Sequence, residues 1–93
     1  MARQITEIMT HAFWSGESKK LSNTEVKNFE MYLFGNKIAW YQNGILYFTL
    51  CGWNTPTTRE RLNGLGIGIS QKKYKPIWNS QEIDAEKVYE MAV

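Results

Sequence analysis

The run FEMYLFGNKIAWYQNGILYFTL, residues 29–50, decides the fold. It divides into three strand-like segments, Phe29–Phe34, Lys37–Gln42 and Ile45–Leu50, separated by Gly35-Asn36 and Asn43-Gly44. A leading Gly suits a II′ turn, and Asn-Gly is a strong I′ signal. Two tight hairpins in succession predict a three-stranded antiparallel meander. Two-residue turns fix the register. The first hairpin is expected to pair Leu33 with Ile38 and Met31 with Trp40. The second is expected to pair Trp40 with Tyr47 and Ala39 with Phe48. One face then holds Phe29, Met31, Leu33, Ile38, Trp40, Ile45 and Tyr47, and the other Tyr32, Phe34, Ala39, Tyr41, Leu46, Phe48 and Leu50. Neither face is polar, whereas an antiparallel sheet with one wet side alternates. Both faces therefore call for a cover.

Upstream, Ile5, Ile8, Met9, Ala12 and Phe13 recur at helical spacing, and Ser15-Gly16 offers a stop. This predicts an amphipathic helix within residues 1–16 that covers one face of the meander. Residues 17–28 are polar without a period and read as a connecting loop. Downstream, Thr57 and Glu60 have capping-box spacing and Asn63-Gly64 ends the run, so a short helix is expected at 57–63. Leu65, Ile67 and Ile69 alternate with glycines, Gln71–Tyr74 reads as a lysine-rich turn, and an edge strand tolerating Pro76 follows. That makes a second hairpin over 65–79. Residues 80–93 form an acidic tail in which the alternation of Tyr89, Met91 and Val93 favours a strand. The fold class is α+β: a helix packed on a three-stranded antiparallel meander, a short capped helix, then a β-hairpin.

At 93 residues the chain is one domain with a thin core. Four Trp, five Tyr and four Phe are more than such a core readily holds, which leaves aromatics for a partner. Cys51 is the only cysteine, so no disulfide forms within the chain, as suits a reducing compartment. The polar N-terminus does not resemble a signal peptide, and no apolar run approaches the ~18 residues of a membrane span. A cytoplasmic protein without a membrane partner is expected. Between positions 59 and 75, Arg59, Arg61, Lys72, Lys73 and Lys75 face Glu60 alone; after 75, Glu82, Asp84, Glu86 and Glu90 face Lys87 alone. A basic stretch thus precedes an acidic tail.

Few chemistries survive this reading. One His (His11) and one Cys do not make a zinc site. A thiol directly after an apolar strand reads as buried and inert rather than nucleophilic. The glycines at 64, 66 and 68 follow a helix and lie in a strand, whereas a phosphate-binding loop runs from a strand into a helix. The tail carboxylates read as a solvated segment. No cofactor and no enzymatic activity are expected.

The string Gly52-Trp53-Asn54-Thr55-Pro56-Thr57-Thr58-Arg59, continuing to Leu65, resembles a group of small proteins encoded by tailed bacteriophages. The likeness spans residues 29–83 and implies a protein made in the cytoplasm of a bacterial host. It brings no catalytic or binding residue with it. The company it implies is that of accessory proteins that bind host machinery or immune defences. Together with the two-faced sheet and the aromatic surplus, this gives the expectation of a non-enzymatic protein that binds a host protein through Tyr41, Trp53, Arg59, Arg61 and Trp78, with a homodimer through a sheet face as a further means of cover. The alternative is a nucleic-acid binder, with Arg59, Arg61, Lys72, Lys73 and Lys75 on phosphates and Tyr74 stacking on a base.

Overall fold

The computed structural model describes residues 2–92; Met1 and Val93, at the two ends of the expected helix and tail, lie outside the described residues. The chain begins with α1 (Ala2–Ser15) and continues into five strands of a six-stranded antiparallel sheet, then a second helix, a small three-stranded sheet and the sixth strand of the larger one. In α1, Met9, Ala12 and Phe13 are fully buried, Ile5 packs on the core, and Ile8 lies at the exposed edge of the stripe. Gly16 takes φ +72°, and the amides of Gly16 and Glu17 donate to the carbonyls of Phe13 and Ala12. This is the left-handed stop that only Gly adopts without strain.

Residues 17–28 are not a loop. They fold into a hairpin, β1 (Lys19–Leu21) and β2 (Thr24–Lys27), that extends the sheet. Thr24 and Val26 point inward with no exposure, while Glu25 and Lys27 point outward. One strongly apolar residue per strand, Leu21 and Val26, gave no visible period. Thr24 becomes a core residue because Arg61 Nε donates to its hydroxyl at 2.9 Å, and that partner lies 37 positions away.

The meander consists of β3 (Glu30–Leu33), β4 (Asn36–Gln42) and β5 (Ile45–Phe48). The second hairpin has the expected register, with Trp40 opposite Tyr47 and Ala39 opposite Phe48. The first does not. Its turn is Phe34-Gly35, both at left-handed φ, so Leu33 pairs with Asn36 and not with Ile38. A bulge then inserts Ile38, and Met31 falls opposite Ala39 rather than Trp40. Ile38 and Ala39 are adjacent and both buried, which strict alternation forbids and a bulge permits.

This slip corrects the expectation of a sheet apolar on both faces. Met31 and Leu33 join Ala39, Tyr41, Leu46 and Phe48 on the inner face, and Tyr32 joins Trp40, Ile45 and Tyr47 on the outer one. The outer face interleaves aromatics with charge. Trp40 stacks on Tyr47 at 5.5 Å, Lys37 Nζ sits 4.8 Å above Trp40, and Lys27 Nζ 5.3 Å from Tyr32. Glu30 accepts from Tyr32 and pairs with Lys37, both at 2.8 Å. These two partners, Lys37 first, hold the Glu30 carboxyl below its ordinary range, and Glu30 in turn pushes the Tyr32 hydroxyl up. The four outer aromatic and aliphatic residues are half-buried by one another and by lysine stems. Such a face is partly covered by its own side chains within a single chain.

The sheet's other end is closed by β9 (Tyr89–Ala92), the strand expected in the tail, which pairs with β5 and turns Tyr89 and Met91 inward. The second helix, α2 (Pro56–Gly64), is capped by Thr55, whose hydroxyl accepts from the Thr58 amide, with Pro56 in the first turn. The expected Thr57–Glu60 box is not formed; the Glu60 carboxylate instead accepts from Thr6 and Arg61. Residues 65–69 form no strand. Gly66 and Gly68 take φ +97° and +82°, which breaks strand geometry while leaving Leu65, Ile67 and Ile69 buried. Side chains replace the missing strand partner: Asn63 exchanges two hydrogen bonds with the Ile69 backbone, and Trp78 Nε1 donates to the Ile67 carbonyl at 3.0 Å. The hairpin expected at 65–79 is therefore a three-stranded sheet of β6 (Ser70–Lys72), β7 (Lys75–Trp78) and β8 (Gln81–Glu82). It joins the larger sheet where Trp78 meets Phe48 edge-on at 4.9 Å and Tyr89 at 6.1 Å.

Candidate functional site

Two tight turns face each other across the end of the sheet. The first is Phe34-Gly35. The second, Cys51-Gly52, follows β5, with φ +52° at Cys51 and +79° at Gly52. Between them lies an apolar cleft of about 390 Å³. Leu33, Ile38 and Leu50 make its floor, all almost wholly buried. Phe34 and Trp53 make its rims, 71% and 61% exposed. The bulge explains the floor, because it turns Ile38 to the same side as Ala39.

Several local contacts hold this shape. The Cys51 amide donates to the Thr49 hydroxyl at 3.1 Å, and Cys51 Sγ to the Lys37 carbonyl at 3.1 Å. The Gly52 amide donates to the Ala85 carbonyl and the Trp53 amide to the Leu50 carbonyl, both at 2.8 Å. Burial pushes the Cys51 thiol up, only partly offset by its hydrogen bond to Thr49. A thiol held protonated is a poor nucleophile at neutral pH.

The chain departs from its own stability at the two rims. A bulky residue at left-handed φ costs about 1–2 kcal/mol relative to a compatible one, and Phe34 takes φ +51°. An aromatic left in water also forgoes the gain of burial. Phe34 bears both costs.

Of the residues expected to meet a partner, Trp53 is where a partner can reach it. Tyr41 is half-buried on the inner face, 5.4 Å from Trp14 and 6.3 Å from Phe29. Trp78 joins the two sheets. Arg61 is 2% exposed, and its guanidinium donates to Thr24, Thr6 and Glu60 from inside the molecule. It ties α1, α2 and β2 together and faces neither a protein nor a phosphate. Arg59 is half-buried, its guanidinium on the Asn54 side chain and carbonyl. Lys72, Lys73, Tyr74 and Lys75 are exposed at the β6–β7 tip, Tyr74 to 89%. Asn54 Nδ2 donates to the Tyr74 carbonyl at 3.2 Å. One side chain next to Trp53 thus gathers Arg59 and the basic tip. Phe34 and Cys51 were missed as site residues. An aromatic directly before a turn glycine, and a Cys-Gly pair ending an apolar run, are the signals that would have found them.

Among the described residues no three His, Cys, Asp or Glu side chains converge as metal ligands, and no helix is long and apolar enough to cross a membrane. A family model described as Kyanoviridae Gp96 protein matches residues 2–92. No curated protein and no solved structure matches the chain.

Proposed function

Because the chain belongs to the Kyanoviridae Gp96 protein family, a phage family, we propose that it is an accessory protein that binds a host protein, without catalysis, through the cleft between Phe34 and Trp53. One observation carries this reading: two large aromatics stand exposed over an apolar floor, one of them on a strained turn. Strain and exposed apolar surface persist where something other than folding retains them. Aromatic rims over a desolvated pocket are the form of a protein-binding hot spot. The protonated Cys51 thiol and the exposed, dispersed tail carboxylates support a binding role over an enzymatic one.

The test is affinity capture from a bacterial lysate, quantified by mass spectrometry, with the wild type beside Trp53→Ala and Phe34→Asn. A host protein enriched by the wild type and lost with both variants is expected. Equal recovery by all three would remove the cleft from the account.

A second reading is favoured by the Asn54 bridge, which sets Arg59 beside the tip carrying Lys72, Lys73, Tyr74 and Lys75. These suit phosphates and a stacked base. Binding to DNA or RNA that falls steeply with salt and is abolished by Lys72→Glu with Lys73→Glu is its signature.

A further inference from the structure

We infer that the occupant of the cleft is an acidic protein segment, which sets an apolar side chain between Phe34 and Trp53 and its carboxylates on Arg59, Lys72 and Lys73. The inference rests on the protein-binding reading above and adds the chemistry of the partner. Size sets the first limit. At about 390 Å³ the cleft lies near the small end of ligand pockets, roughly 300–1,000 Å³, so it takes one or two side chains and not a length of backbone. Lining sets the second. Asn36, Cys51, Thr55 and Thr58 also line the cleft, but Cys51 is bonded to the Lys37 carbonyl and the Thr55 and Thr58 hydroxyls to each other. Leu33, Ile38 and Leu50 offer no hydrogen bonds, so a polar group seated on that floor is left unpaired. An apolar side chain fits that floor better than a nucleobase, whose edge carries donors and acceptors.

Charge sets the third. Asn54, the residue after Trp53, holds Arg59 at 2.5 Å and the Tyr74 carbonyl at 3.2 Å, so the rim continues into the basic tip. Among the described residues Arg59, Lys72 and Lys73 make no ion pair, whereas Lys75 reaches Glu82 at 3.6 Å. One acid, Glu86, approaches this region. Its Cγ lies 3.7 Å from where a Cβ on Gly52 would stand, and it leaves the cations in excess. Unpaired cations bordering an uncharged cleft complement a partner whose anchor is flanked by Asp and Glu, and they set encounter and specificity more than raw affinity.

The experiment is fluorescence anisotropy with dye-labelled synthetic peptides. One has a central Trp flanked by Asp and Glu, one the same Trp flanked by Lys, one the acidic flanks around Ser, and oligothymidylate is the competitor. The acidic Trp peptide is expected to bind the tightest. Its affinity should fall by about tenfold on raising salt from low to molar strength. Lys72→Glu with Lys73→Glu should lower it by at least about tenfold with unchanged thermal melting, and Trp53→Ala should abolish it. Equal binding of the Lys-flanked peptide overturns the acidic partner and leaves the cleft reading intact. Absence of binding by every peptide also overturns it, while the capture experiment still judges the cleft. Oligothymidylate bound more tightly than any peptide overturns both in favour of nucleic acid.

Discussion

At the scale of residues, Phe34 and Arg61 differ in what they do for the fold: one is exposed on a left-handed turn and the other is buried and ties three elements together. Phe34 occupies a turn position whose left-handed φ suits Asn, and most of its ring lies in water. Phe34→Asn is expected to raise stability by about 0.5–1 kcal/mol, a gain of about 2–6 °C in melting temperature, while weakening partner binding. Calorimetry beside the capture assay checks it, and a fall in melting temperature would show that the ring is needed for folding. Arg61 is the opposite case. A guanidinium in a sequence of mixed charge reads as a surface group, yet here it is interior. Its hydrogen bonds to Thr6, Thr24 and Glu60 come from three elements. No local pattern announces partners 37 and 55 positions away.

At the scale of elements, turn chemistry was legible and its placement was not. Asn43-Gly44 sits where expected, because Asn-Gly is matched to the I′ turn and nothing competes. Gly35 is expected to turn with Asn36 after it, and in the structure it turns with Phe34 before it. Packing chose the latter, because the bulge it allows buries Ile38 and Ala39 together. The continuous apolar run Ile38-Ala39-Trp40-Tyr41 was the local sign that strict alternation would fail. The cap of α2 moved in the same way, from Thr57 to Thr55. Thr55→Ala is expected to cost about 1 kcal/mol, through loss of the bond to the Thr58 amide, and Thr57→Ala less than half of that. Denaturant titration of the two variants separates the caps, and the reverse order would restore the Thr57 box. The tail strand was read correctly from Tyr89 and Met91, whose alternation matches their inward placement on β9.

At the scale of the whole molecule, the register of one hairpin decides whether the sheet needs company. With Met31 opposite Ala39, the outer face holds Glu25, Lys27, Glu30 and Lys37 among its aromatics and is half-wet in a single chain. The motive for a dimer through that face is thereby removed. Sedimentation at micromolar concentration is expected to give the 10.9 kDa of one chain; a species of twice that mass would return the outer face to consideration as an interface. The most exposed aromatics, Phe34, Trp53 and Tyr74, lie at the cleft and its basic flank.

The sequence by itself determined the α+β class, the helix that ends at Gly16, and the Asn43-Gly44 hairpin of the meander with its register. Each rests on local physics: helical spacing, the left-handed freedom of Gly, and the Asn-Gly turn. Only the tertiary structure decided the first hairpin's register, the strands within 17–28, the interior place of Arg61 and the cleft between Phe34 and Trp53. In each of these, neighbouring choices differ little in local energy. The burial of Ile38 beside Ala39 and the pairing of Thr24 with a distant guanidinium favour one of them.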